Sequence, residues 1–283
     1  MSHHFGINTF LFASPFTTQH RAFFTVFKSW GFDSVELALE NPADIDPSTL
    51  RAALDEAGLA CRSVCAAMSP DRDLRGTPHQ QETARQYLEA LLDYMPALGA
   101  NVLCGPLYSA VGRADAVPAD EQEHQLATVT AHLRALGERA EARGLVLAVE
   151  PLNRFETDFL NTVEQGLRLV ERVNCPGVGL HLDTFHMNIE EKSQAAAIRR
   201  AGSALRHLHA SGSDRGTPGN DHLDWPGIAA ALRDIGYAGD VVIESFTPEV
   251  KSIARAAAIW RAIEPSPERI ARDGLRFLTQ LFA

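Results

Sequence analysis

Short apolar runs alternate along the chain with longer stretches whose apolar residues recur every three to four positions. The short runs have strand length and the long ones helix length. Eight strands are predicted: Phe5–Phe12, Ser34–Leu39, Ala60–Met68, Asn101–Tyr108, Leu145–Asn153, Val178–Met187, Leu205–Ser213 and Asp240–Phe246. Helical spacing marks Pro47–Gly58, Thr77–Gly99, Glu121–Arg143 and Thr162–Val173 between them, and a last helix over Pro267–Leu281. The punctuation agrees with this division. Gly31, Gly58, Gly99, Gly144 and Gly236 each follow a periodic segment and precede a strand, where a left-handed C-cap belongs. Asp46-Pro47 and Thr77-Pro78 put a capping side chain ahead of proline in the first helical turn.

No Gly/Ser linker or low-complexity run divides the chain. Eight βα units predict one α/β domain over residues 1–283, a (β/α)8 TIM barrel. The C-terminal helix, about 267–281, is expected as an addition that covers the barrel or meets another subunit. A doubly wound open sheet is the rival. The lack of a Gly-rich phosphate loop after the first strand counts against it.

Charge narrows the partners. The chain carries 36 acidic against 26 basic side chains, a net charge of −10, which disfavours nucleic-acid binding and suits a small neutral substrate. Cys61, Cys65, Cys104 and Cys175 form no CxxC pair, and the first three lie in apolar runs, so reduced core thiols in a cytoplasmic protein are expected. No signal-peptide pattern opens the chain, and no apolar run approaches the ~20 residues that span a membrane. The paired His3 and His4 read as an exposed terminus.

The chemistry gathers on the last four strands. Each is apolar until its C-terminal end, where one strong metal-binding side chain appears: LVLAVE at Glu150, VGLHLD at Asp183, LRHLH at His209 and DVVIE at Glu244. In a TIM barrel those ends form the active-site face. Alternation puts Val146, Ala148 and Glu150 on one face, as it does His207 with His209 and Val242 with Glu244. A carboxylate ending one apolar strand is often a cap or a loop ion pair. Four such groups on consecutive strands point to a shared metal site, because burying them unpaired is costly. Three carboxylates and one imidazole form a hard donor set, favouring one divalent ion, Mn2+ or Mg2+ with Co2+ as a substitute. His207 is expected to orient a ligand, and Asn153 and Arg154 to brace the loop after the fifth strand.

The segments AVEPLNRFETDFLNT, HLDTFHMNIEE and HASGSDRGTPG, followed by VVIESF, closely resemble the D-tagatose/D-allulose (psicose) 3-epimerase family. That family includes the L-ribulose 3-epimerases and lies among the xylose-isomerase-like TIM barrels. The resemblance implies a metal-dependent ketose 3-epimerase of the isomerase class, with Glu150, Asp183, His209 and Glu244 as metal ligands. It implies Glu156, His186 and Arg215 as substrate contacts near the reacting end of the sugar. Glu150 and Glu244 then serve as acid and base on opposite faces of C3, through a cis-enediolate. It also implies a homodimer or homotetramer, for which Trp260, Phe277 and Phe282 offer apolar surface.

The pattern departs from well-known members at the far end of the pocket. Those members carry an aromatic residue near the place of Asn8, a tryptophan where this chain reads GPLYSAVG, and a glycine-rich loop where it reads AAMSPDRD. Phe10, Phe12, Met68, Tyr108 and Val111 are the candidates for that wall, with barrel core as the competing reading. Three rivals share the barrel or the ligand. An aldose–ketose or hydroxypyruvate-type isomerase could use the same ligands. An apurinic endonuclease would need more histidines and a basic groove, and a sugar-binding module would need no opposed carboxylates.

Overall fold

The computed structural model describes residues 3–283. Eight parallel strands follow one another in sequence order and close on themselves: β1 (Phe5–Asn8), β2 (Ser34–Leu39), β3 (Ala60–Ala66), β4 (Val102–Gly105), β5 (Val146–Val149), β6 (Val178–Asp183), β7 (Leu205–Ala210) and β8 (Val241–Ile243). The barrel is sealed by β1 against β8, with Gly6 opposite Val242. Around it run α1 (Phe23–Trp30), α2 (Pro47–Ala57), α3 (Pro78–Leu98), α4 (Ala119–Glu141) and α5 (Val163–Val173). Two short helices, α6 (Thr184–Glu190) and α9 (Lys251–Ala256), sit on the loops after β6 and β8, while α7 (Gln194–Ala201), α8 (Trp225–Asp234) and α10 (Pro267–Phe282) complete the ring. Membrane-spanning length with enough apolar character is found in no helix among the described residues.

Local chemistry explains the boundaries. Gly31, Gly58 and Gly99 take φ of 103°, 63° and 83° as C-caps of α1, α2 and α3, a region costly for side chains with a Cβ. The Asp46 carboxylate accepts the backbone N–H groups of Ser48 and Thr49, and Thr77 forms a capping box with Gln80.

The expected strands run too long at their C-terminal ends, and two polar side chains account for the clearest cases. Asn8 Oδ1 accepts the N–H of Phe10 at 2.8 Å and turns the chain into a 3₁₀ turn, Thr9–Leu11, so β1 stops four residues before Phe12. Asp183 Oδ1 accepts the N–H of Phe185 at 2.7 Å and starts α6, making Thr184–Met187 helical. The overrun residues Phe10, Leu11, Met187 and Phe246 are nonetheless buried, at the barrel mouth. Apolar character marks burial there rather than strand.

The C-terminal helix α10 is less an addition than the eighth helix of the ring. It packs against β1, β8 and α8, with Phe277 on Trp225 and Phe282 on Phe5. Those two aromatics therefore face the barrel, whereas Trp260 stays 75% exposed. His3 lies tilted against the Phe282 ring, with centres 4.5 Å apart, and is half-buried, so the first histidines are not a free tail. All four cysteines are buried and free, Cys175 in the turn before β6 rather than in a strand.

Inside the barrel, Ala38, Cys65, Cys104 and Ala148 of β2 to β5 form a small cluster with Phe10 and Phe246. Small side chains on that half leave room above them, and a cavity opens there. Asp183, His209 and Glu244 stand on the opposite half.

Candidate active site

Glu150 lies one residue beyond β5, Asp183 ends β6, His209 is on β7 and Glu244 lies one residue beyond β8. Asp183 pairs with His209, and His209 with Val242, two residues before Glu244. The backbone N–H of Glu150 donates to Gly105 O at 3.0 Å, and that of Glu244 to Ala210 O at 3.3 Å, so strand pairing extends to both carboxylates. All four side chains are buried.

The donors form overlapping groups. Asp183, His209 and Glu244 each offer an atom within 4.8 Å of the others, and Glu150 forms such a group with Asp183 and His186 and another with His181 and His209. Glu150 Oε1 and His209 Nδ1 are buried without a hydrogen-bond partner. Unsatisfied buried acceptors of this kind are costly unless something positive meets them. The cluster can therefore hold a metal ion.

Arg215 brings a permanent cation to these groups. Its Nη1 donates to Asp183 Oδ2 at 2.6 Å and to Glu244 Oε2 at 3.0 Å, and its Nη2 lies 3.0 Å from His186 Nε2. The guanidinium is clamped between two rings, 4.1 Å from the centre of Phe185 and 4.8 Å from that of Phe246. Its backbone takes φ of 67°, and its carbonyl accepts the N–H of Phe246, tying the HASGSDRGTPG loop to the segment after β8. His186 Nδ1 accepts the backbone N–H of Asn153 at 3.0 Å, which turns Nε2 toward Arg215 and Glu150. Asn153 Nδ2 donates to Glu156 Oε1 at 2.8 Å, and Arg154 pairs with Glu190 at 2.9 Å, so both brace the loop after β5.

Burial and charge pull the titrating groups apart. Burial, reinforced by Glu244, pushes Glu150 well above the usual carboxylate range. Burial lifts Asp183 to about 6 against the opposing pull of Arg215. Burial would raise Glu244 too, but His209 and Arg215 outweigh it and hold it low. Burial alone would depress His209, yet the carboxylates of Glu36 and Glu244 lift it well above an ordinary imidazole. His186 is lowered by burial and by Arg215, which keeps the ring neutral.

A cavity of about 540 Å3 opens onto this cluster, within the range of small-molecule sites. Glu150, Glu244, His186, Arg215 and Glu156 line its polar end. Phe10, Met68, Val111 and α9 residues such as Ile253 line the far wall. Phe12 and Tyr108 do not line it. Phe12 packs among Phe23, Phe27 and Trp30, and Tyr108 lies against Phe159 with its hydroxyl on Leu160 O. Both are core.

The xylose isomerase-like TIM barrel family matches residues 24–281. The chain belongs to this family. It is 37% identical over 281 residues to a probable ketose 3-epimerase of Synechocystis sp., which spans 98% of this chain and 96% of that one. A ketose 3-epimerase of Arthrobacter globiformis is 36% identical, over 88% of this chain and 86% of its own. Among solved structures, D-allulose 3-epimerase from Methylomonas sp. in complex with D-allulose has a TM-score of 0.91 at 29% identity, covering 98% of this chain and 96% of that chain. These relatives are carbohydrate 3-epimerases by name, and the expected isomerase-class enzyme agrees with them.

On this family barrel, sequence reasoning passed over a carboxylate. Glu36 sits in the middle of β2, fully buried, just after a shift in the β2–β3 register. Its Oε1 meets Asn8 Nδ2 and His209 Nε2, each at 2.7 Å, and its Oε2 lies 2.6 Å from His207 Nε2 and 3.2 Å from Cys104 Sγ. Burial works against its charge, but His209 and His207 overcome that and hold it well below the usual range. The signal was present: SVELAL has one charge in an otherwise apolar strand. His181, two residues before Asp183 and so on the same face of β6, was passed over too. Its ring meets that of His209 edge-on with centres 4.0 Å apart.

Proposed function

We propose that this chain is a divalent-metal-dependent ketose 3-epimerase that inverts C3 of a free ketose of the D-allulose/D-fructose, D-tagatose or L-ribulose type. The observation that carries the reading is that Glu150 and Glu244, brought by β5 and β8, line the same cavity as His186, Arg215 and Glu156. Inversion needs a group on each face of the carbon, one to remove the proton and one to return it. Two carboxylates reaching one cavity from separated strands suit that need, and a one-sided proton shift would use only one. The names of the relatives support the same activity.

Glu150, Asp183, His209 and Glu244 would hold the metal, for which Mn2+ fits the hard donor set best, with Mg2+ or Co2+ as substitutes. When bound, the ion supplies polarisation of the C2 carbonyl and acidifies the C3 proton. Each glutamate has two oxygens, so one can ligate while the other carries the proton. Their roles as acid and base exchange with the handedness of the substrate. Arg215 and His186 hold the oxygens at the C1–C2 end and stabilise the charge that develops in the cis-enediolate. Glu156, steadied by Asn153, accepts a hydrogen bond from a sugar hydroxyl. Self-association into a homodimer or homotetramer belongs to the same proposal. Trp260 is one exposed aromatic available to it, as is Phe155, whereas Phe277 and Phe282 pack inward; light scattering measures the assembly.

The test is a substrate panel. Protein loaded with Mn2+ is incubated in D2O with D-allulose, D-fructose, D-tagatose, L-ribulose and hydroxypyruvate. Products are identified by chromatography and the label located by NMR. Deuterium at C3 is expected, and label only at C1 or C2 would make the enzyme an aldose–ketose isomerase. Glu150→Gln and Glu244→Gln should each lower turnover by about 10²–10⁴-fold while the protein still folds. Near-normal turnover in either would sink the two-base scheme, and full activity after chelation would sink the metal.

A further inference from the structure

We infer that Glu36 is a positioning residue for the metal centre: its carboxylate holds His209 in the tautomer protonated at Nε2 and so presents the bare Nδ1 to Asp183 and Glu244. The inference rests on the reading of Asp183, His209 and Glu244 as metal ligands.

The geometry leaves the ring little choice. Glu36 Oε1 lies 2.7 Å from His209 Nε2, a hydrogen-bond distance that only an N–H on that nitrogen makes favourable toward a carboxylate. An imidazole that ligates a metal keeps one N–H, and with that N–H held on Nε2 by Glu36 the nitrogen left to meet the ion is Nδ1. That Nδ1 is the buried atom without a hydrogen-bond partner, 3.4 Å from Glu244 Oε2. Carboxylate, imidazole and ligand cluster thus stand in line, the arrangement by which a metal-bound histidine is oriented and made more basic.

Glu36 is itself held from three sides. Asn8 cannot turn its amide over, because its Oδ1 already accepts the N–H of Phe10 at 2.8 Å. Its Nδ2 therefore faces Glu36 at 2.7 Å and Glu244 at 3.4 Å. His207 Nε2 approaches Oε2 at 2.6 Å, off the axis of an ideal hydrogen bond, and the Cys104 thiol donates to the same oxygen at 3.2 Å. The expected orienting role of His207 consequently runs through Glu36, while its ring also packs edge-on against that of His209 with centres 5.1 Å apart. None of the groups around Glu36 lines the cavity beside the sugar site, which separates this role from substrate contact.

Glu36→Gln tests it. Glutamine keeps the shape, but one end of its amide is a donor, so it cannot accept from His207 and His209 together. Mn2+ affinity, measured by competition with a chromophoric chelator, should fall by 10–100-fold. Loss of the carboxylate should also lower the melting temperature of the metal-free protein, as breaking a buried charge pair does, so affinity is measured well below that transition. Saturating Mn2+ should restore most of kcat and leave the sugar KM unaltered, a split that a merely structural role would not produce. If Glu36→Gln does not fold, His207→Phe removes one anchor of Glu36 while keeping a ring against His209, and should weaken Mn2+ binding by about tenfold, the low end of that range. Unchanged Mn2+ affinity in the folded variant overturns the inference. So does a stoichiometry of two ions per chain that drops to one in Cys104→Ser, since Glu36 would then be a ligand of a second ion. Wild-type protein that binds no divalent ion overturns the metal reading itself, whereas equal binding by wild type and Glu36→Gln overturns only the role of Glu36.

Discussion

Arg215→Met isolates what a buried cation does among these carboxylates. Methionine keeps most of the stem and loses the charge, leaving Asp183 and Glu244 without the partner now 2.6 Å and 3.0 Å away. Removing one side of a buried pair costs about 3–5 kcal/mol. Burial already lifts Asp183 to about 6 with Arg215 beside it, so in the variant it takes up a proton more readily. The loss then lies near the lower end, about 3 kcal/mol. With an unfolding entropy of about 2.1 cal/mol/K per residue, a chain of this length loses about 5 °C in Tm. Scanning calorimetry of metal-free protein at pH 8 reads that loss directly. Saturating Mn2+ should then raise the Tm of the variant more than that of the wild type, because the ion supplies positive charge to the same carboxylates. More than half of the deficit should close, while turnover stays low for want of the oxyanion-binding guanidinium. An equal deficit with and without Mn2+ would refute the shared-carboxylate reasoning, as would an unchanged Tm in the metal-free state.

Two further outcomes follow from the same structure. Asp183 has a folded pKa of about 6, above its ordinary 3.8, so the native state holds this proton more tightly than the unfolded chain. The metal-free fold therefore loses stability from this group as pH rises from about 4 through 6. A metal must displace the proton, so apparent Mn2+ affinity should fall as pH drops below about 6, and a flat profile between pH 5 and 8 would contradict it. Gly219 takes φ of 88°, and a Cβ there would run into the Phe277 ring that seats α10 on α8. Gly219→Ala should cost more than about 1 kcal/mol in a denaturant titration, and an unaltered midpoint would dissociate that turn from the seating of α10.

The last four strands announced themselves in sequence because each ends a mainly apolar run on a strong metal-binding group. That contrast is local, so LVLAVE, VGLHLD, LRHLH and DVVIE could be read one at a time, and alternation assigned their faces. Helix caps were legible for the same reason: Asp46, Thr77, Gly58 and Gly99 act within a few residues of themselves. Strand ends were not, because Phe10, Met187 and Phe246 are as buried in turns and helices at the barrel mouth as they would be in strands. Nor could the far wall be sorted by composition, since only closure of the barrel sends Met68 and Val111 to the cavity and Phe12 and Tyr108 to the core. Glu36 is the clearest case of what tertiary structure decided. Its partners lie 28, 68 and 173 positions away, in β1, β4 and β7, so no window along the chain contains the reason for burying it. The sequence determined a barrel with a hard-donor face. Which groups share a charge, which histidine nitrogen is left bare, and which apolar residues meet a ligand depend on strands distant in sequence arriving at one level of the barrel, where low dielectric makes each contact count.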